Sequence, residues 1–109
     1  RAQEIGAVLK DRLGKLKEKH ERIGDVRGLG AMIGIEFIND ETKTPNKAAV
    51  EAITMHARES GLILLPTGTY GNVIRLLPPI NMSDEELNEG MSKLEAAIDN
   101  VLEAVTAVA

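Results

Sequence analysis

The sequence predicts a small α+β domain: a mostly antiparallel sheet of three to four strands with helices packed on one face, in the order α-β-β-α-β-β-α. Three observations lead there. Apolar residues recur at helical spacing in residues 2–21 and again after Ser83, while Ala31 to Ile38 alternates with a period of two. Turn formers separate these segments at short intervals. The chain has 109 residues, the length of a single domain, with 43% apolar residues to fill its core. Aromatic residues make up only 2%, so that core is aliphatic.

Residues 2–21 place Ile5, Val8, Leu9, Leu13 and Leu16 on one stripe of a helix. Gly6 and Gly14 each weaken it by about 1 kcal/mol relative to alanine. A short strand follows at 25–28, and Arg27-Gly28-Leu29-Gly30 reads as a hairpin turn. That stretch lacks the spacing of a phosphate-binding loop. In the next strand Ile33, Ile35 and Phe37 face one side and Gly34 and Glu36 the other, with Gly34 allowing a close neighbour. Asn39-Asp40-Glu41-Thr42-Lys43 is a polar loop. Thr44 before Pro45 predicts a helix N-cap with proline in the first turn. That helix runs to Ser60, buries Ala49, Ala52, Ile53, His56 and Ala57, and stops at Gly61.

Leu62-Ile63-Leu64-Leu65 is a continuous apolar run, expected as a strand covered on both faces. After the loop from Pro66 to Asn72, Val73 to Leu77 forms a strand halted by Pro78-Pro79. Ser83-Asp84-Glu85-Glu86 is a capping box. The last helix carries Leu87, Met91, Leu94, Ile98, Val101 and Val105. This stripe is either core against the sheet or a dimerisation surface; the sheet explains it with one domain. Residues 1–22 hold seven basic and four acidic side chains, and 83–109 hold seven acidic and one basic. Two terminal helices lying near each other would give that contrast, but solvated faces give the same counts and are the simpler reading.

Several function classes fall on composition. A formal net charge of −4 and two aromatic rings suit neither phosphate-backbone binding nor base stacking, so no nucleic-acid partner is expected. The absence of cysteine excludes disulfides and thiolate chemistry and fits a reducing, cytoplasmic setting. No apolar run is long enough for a membrane span. His20 and His56 lack ligand spacing, so no metal site is expected; His20 should be exposed at a helix end and His56 partly buried. Thr67 and Thr69 are possible donors to a ligand and equally ordinary turn residues.

Arg75 is the candidate binding residue. Its neighbours Val73, Ile74, Leu76 and Leu77 are all apolar, and a guanidinium cannot be neutralised. Either it lies on the polar face of an edge strand, or it meets a carboxylate from the protein or from a ligand, which its planar fork binds through two hydrogen bonds. Gly68 and Gly71 in the adjacent loop let backbone approach a bound molecule. No catalytic set emerges from the remaining residues.

Two segments carry a resemblance. Ile23 to Phe37, with Val26-Arg27-Gly28-Leu29-Gly30-Ala31-Met32-Ile33-Gly34-Ile35-Glu36, resembles the "VRG-x-G-x-M-x-G-I-E" segment of class III pyridoxal-phosphate aminotransferases. Gly61 to Leu65 and Gly68 to Pro79 resemble the segment that follows it, and Ser83 to Leu87 the start of their final helix. The resemblance implies the C-terminal small domain of a fold-type I enzyme, here residues 1–109 as one domain of a longer homodimeric chain. It implies transfer of the amino group of 4-aminobutyrate to 2-oxoglutarate, giving succinate semialdehyde and glutamate. Ornithine, acetylornithine or another ω-amino acid are alternative donors. Arg75 matches the arginine that holds the substrate α-carboxylate in this family. Pyridoxal phosphate would serve the full-length parent as an electron sink. The cofactor lysine belongs to the preceding large domain, and none of Lys10, Lys15, Lys17, Lys19, Lys43, Lys47 or Lys93 sits in a matching context. The 109-residue chain alone is therefore expected to bind no cofactor, to be inactive, and to expose an apolar face. A different class of reading is a free-standing regulatory module that binds a small carboxylate through Arg75.

Overall fold

A computed structural model describes residues 1–39 and 41–108, with side chains described as far as Glu103. Seven elements follow one another: α1 (Ala2–Lys19), β1 (Ile23–Leu29), β2 (Met32–Phe37), α2 (Lys47–Glu59), β3 (Leu65–Thr67), β4 (Val73–Leu76) and α3 (Asp84–Val108). The strands form one sheet in the order β1-β2-β4-β3, every neighbouring pair antiparallel. This is the predicted order and sheet type. Ile33, Ile35, Phe37 and Ile74 are fully buried against the helices, whereas Met32 and Leu65, on the opposite face, are exposed. The helices thus cover one face, and the core lies between that face and α1, α2 and α3. Among the described residues, no helix is long and apolar enough to cross a membrane.

Local chemistry explains most boundaries. The β1–β2 hairpin pairs Leu29 with Met32 across Gly30 and Ala31, and Gly30 takes φ +55°, the conformation a two-residue hairpin asks of its first central position. β1 begins at Ile23, two residues before the expected start, because an irregularity between Ile23 and Asp25 keeps Ile23 paired with Phe37 and in the core. α2 ends in a Schellman motif: Gly61 N–H donates to the Arg58 carbonyl and Leu62 N–H to that of Ala57. The capping box of α3 forms as read, with Glu86 N–H donating to Ser83 Oγ at 3.1 Å and Ser83 N–H to Glu86 Oε1 at 3.0 Å.

Several expectations are corrected. The N-cap of α2 is Asn46, whose Oδ1 accepts from Ala49 N–H at 3.0 Å; Thr44 and Pro45 are instead held to Asn39 and Ile38 in the preceding loop. Asp40 of that loop lies outside the described residues. On α2 the buried side chains are Ala49, Val50, Ile53, Thr54 and Ala57, while Ala52 is exposed and His56 half-buried. The run Leu62 to Leu65 is not covered on both faces. Leu64 is buried but Ile63, which precedes the strand, and Leu65 stand 78% and 69% exposed; Leu65 is on the outer face of the sheet, which carries no helix among the described residues. The strand there is Leu65–Thr67. Val8 is exposed too, so α1 buries only Ile5, Leu9, Leu13 and Leu16 of its stripe.

The last stripe is core. Leu87, Met91, Leu94, Ile98 and also Leu102 are buried and Val101 partly so, while the Val105 side chain lies outside the described residues. The terminal helices, expected to be independent solvated faces, are ion-paired to each other. Arg1 reaches Asp84 at 2.7 Å, Arg12 grips Glu95, and Lys19 reaches Asp99 and Glu103 at 3.2 and 3.0 Å. Opposite charge was complementary because both helices lie on the same face of the sheet.

Candidate substrate-carboxylate site

The outer face of the sheet positions Arg75. In the register, Arg27 on β1, Gly34 on β2, Arg75 on β4 and Leu65 on β3 form one row across all four strands. Ile74 and Ile35, the next pair along, are buried under the helices, so the side chains of this row project away from them. Arg75 is accordingly exposed, not enclosed by its apolar neighbours in sequence. The strand is apolar for two different reasons: Ile74 fills the core, while Val73 and Leu77 sit on the uncovered side.

The two arginines of the row differ in what holds them. Arg27 Nη1 donates to Asp25 Oδ2 at 2.9 Å and to Glu36 Oε2 at 3.0 Å, and these bonds hold its guanidinium even more firmly protonated than usual. Among the described residues Arg75 has no hydrogen-bond or ion-pair partner, so its five N–H donors are open to an incoming acid. Arg75 also borders a groove of about 630 Å³ that runs around the β3–β4 edge toward α3, past Leu65, Thr67, Leu77 and Met91. A guanidinium at the rim of an apolar groove meets an anion with less competition from water than on an open surface.

The β3–β4 loop is pinned beside it. Asn72 is buried; its Nδ2 donates to the Phe37 carbonyl at 3.1 Å and its own carbonyl accepts from Phe37 N–H at 2.9 Å. Gly68 and Gly71 take φ +89° and +64°, and Gly71 N–H closes the turn onto the Gly68 carbonyl. Thr67 reaches the groove; Thr69 and Tyr70 are exposed on the loop. The loop thus fixes the start of β4 through Asn72, three residues before Arg75.

His20, expected in solvent, is 9% exposed, and its Nε2 lies 2.7 Å from Asp99 Oδ1. His20, Asp99 and Glu103 offer ligand atoms within 4.8 Å of one another. Lys19 Nζ already bridges both carboxylates, so an ammonium supplies the positive charge these two carboxylates face. Residue spacing did not show this cluster because its members come from both ends of the chain. The signal available was the opposite charge of the two terminal segments. His56 takes no part in it.

The sequence profile of the family described as "Aminotransferase class-III" matches residues 1–98. This chain belongs to the class-III aminotransferase family. Among curated relatives of this class-III chain, a probable 4-aminobutyrate aminotransferase of Bacillus subtilis is 44% identical over 90% of the chain and 23% of its own length. A 5-aminovalerate aminotransferase of Pseudomonas putida is 46% identical over 87% of the chain and 22% of its own length. In three dimensions it is similar to an amine transaminase from an uncultivated Pseudomonas species, described in its PLP-bound form, with a TM-score of 0.78 and 32% identity over 92% of the chain and 23% of that structure. The chain therefore spans less than a quarter of the length of these relatives.

Proposed function

We propose that residues 1–109 are the C-terminal, carboxylate-binding part of a pyridoxal-phosphate-dependent aminotransferase. The parent is a cytoplasmic homodimer that passes the amino group of an ω-amino acid, 4-aminobutyrate in the first place, to 2-oxoglutarate, giving succinate semialdehyde and glutamate. The observation that carries this reading is Arg75: an unpartnered guanidinium on a rigid strand, at the rim of an apolar groove, on a sheet face without a covering layer. Such a group fixes a substrate carboxylate in one orientation, which lowers the entropy cost of the reaction that follows. The similarity to relatives named for 4-aminobutyrate and 5-aminovalerate supports an ω-amino donor and leaves its chain length to experiment.

The residues present do not make a seat for the cofactor. Among the described residues no lysine lines the groove; Lys15, Lys19, Lys47 and Lys93 are ion-paired on helix surfaces, and Lys10, Lys17 and Lys43 are exposed. The remainder of a class-III chain has to supply it, and its natural place is the uncovered face of the sheet.

The deciding experiment is steady-state kinetics of the full-length enzyme with Arg75→Gln and Arg75→Lys against a panel of amine donors. Removing a charge-assisted, two-pronged contact raises KM for 2-oxoglutarate roughly 10- to 100-fold, with Lys between Gln and the parent. An unchanged KM in Arg75→Gln refutes the assignment. A parallel test asks whether the 109-residue chain retains pyridoxal phosphate through gel filtration. The expected result is no retention and no transamination.

A further inference from the structure

Gly34 is the unexplained residue of the Arg27–Gly34–Arg75–Leu65 row. A glycine in mid-strand weakens pairing and leaves nothing to pack, so it calls for a reason. Backbone geometry is not that reason, since Gly34 is absent from the positive-φ residues. Packing is not either. A Cβ built there would meet only Val73 Cγ1 at 3.6 Å and the Arg27 carbonyl oxygen at 3.9 Å, ordinary contacts both. Gly6 and Gly28 differ, because a Cβ at either collides with backbone of the β1–β2 hairpin. What glycine at 34 does provide is a shallow dip on the outer face, half-exposed and bordered by Val73, directly between two arginines whose Cα atoms stand about 10 Å apart across the strands. Arg27 already neutralises its charge against Asp25 and Glu36 through Nη1, so the arginine without a counter-charge that an acid entering that space meets is Arg75.

We infer that Gly34 is a substrate-admitting position: its missing side chain forms the floor on which the carboxylate end of the 2-oxo acid lies while Arg75 grips it. This rests on the carboxylate-binding reading of Arg75 given above. Any side chain at 34 shares the row with the Arg75 stem and takes up the volume the ligand needs. The effect should grow with size and fall on substrate affinity, while the fold is unaffected.

The test uses the full-length holoenzyme with Gly34→Ala and Gly34→Val, with Arg75→Gln measured beside them. Gly34→Val is expected to raise KM for 2-oxoglutarate about tenfold, and Gly34→Ala by a smaller factor, with kcat held within about twofold. The melting temperature should not fall, which a purely structural role for glycine would require. A folded Gly34→Val enzyme with unchanged KM overturns the inference, as does a loss of kcat and melting temperature together. Should the valine variant fail to fold, Gly34→Ala decides on the same two readouts. If Arg75→Gln leaves KM unchanged, the carboxylate assignment itself falls; if it raises KM and the Gly34 variants do not, only the role of Gly34 does.

Discussion

A methyl group at position 6 would collide with the carbonyl oxygen of Gly30, so α1 crosses the β1–β2 hairpin at a distance only glycine permits. Helix propensity alone says that Gly6→Ala stabilises by up to about 1 kcal/mol. The contact reverses the sign. Gly6→Ala is expected to destabilise the chain by about 1–3 kcal/mol, the usual range for forcing atoms into a filled site. Gly14→Ala, where a Cβ meets nothing within 4 Å, is expected to stabilise it by up to about 1 kcal/mol. Urea denaturation of both variants checks the pair, and equal shifts in one direction would rule the contact out. Both glycines read as simple helix weakeners in the sequence, because a close approach between residues 6 and 30 leaves no trace in local pattern. Arg75 was legible for the opposite reason. A charge within four apolar neighbours is a local anomaly, although its side chain proves to lie over the open face of the sheet and not within an apolar interior.

At the scale of elements, what the sequence made readable follows from how many faces an element buries. β2 and β4 alternate because one face is core and the other is not, and α3 shows its stripe for the same reason. The run before β3 misled because Ile63 and Leu65 are apolar yet exposed, Leu65 on the uncovered face of the sheet, a requirement set outside this stretch of chain. The α1–α3 pairing was visible as charge, yet only the sheet, by placing both helices on one face, turns complementarity into contact. That pairing makes a pH prediction. Burial pushes the Asp99 carboxyl up, but hydrogen bonds from His20 and Lys19 together outweigh it and hold the group below the usual aspartate range. A depressed folded value means the stabilisation is complete above the ordinary carboxyl range and is lost as pH falls through the folded value. Asp99→Asn is therefore expected to cost about 1 kcal/mol at neutral pH. The gap to the parent should close on acidification. Urea midpoints followed down through the carboxyl range measure it, and a gap that persists unchanged at the acid end of that range would contradict the pairing.

For the molecule as a whole, the asymmetry of the sheet is the governing fact. Its helical face is closed by aliphatic core, while its other face leaves Leu29 at 88% exposure and Leu65 and Leu77 at 69% and 66%. Exposed apolar side chains scattered singly are common, but these share one side of one sheet with Arg75, and grouped exposure of that kind marks a surface that something covers. In relatives about four times as long, the remaining chain is available to do so. On its own, the 109-residue chain is expected to bind a hydrophobic fluorescent dye and to self-associate as concentration rises. Leu65→Lys together with Leu77→Lys should cut the dye signal severalfold and shift sedimentation toward monomer. Neither residue belongs to the buried core, so the urea midpoint should stay where it is. The opposite outcome is equally readable: if the double variant unfolds while dye binding persists until it does, these leucines hold the domain together, and the surface that receives the rest of the enzyme lies elsewhere.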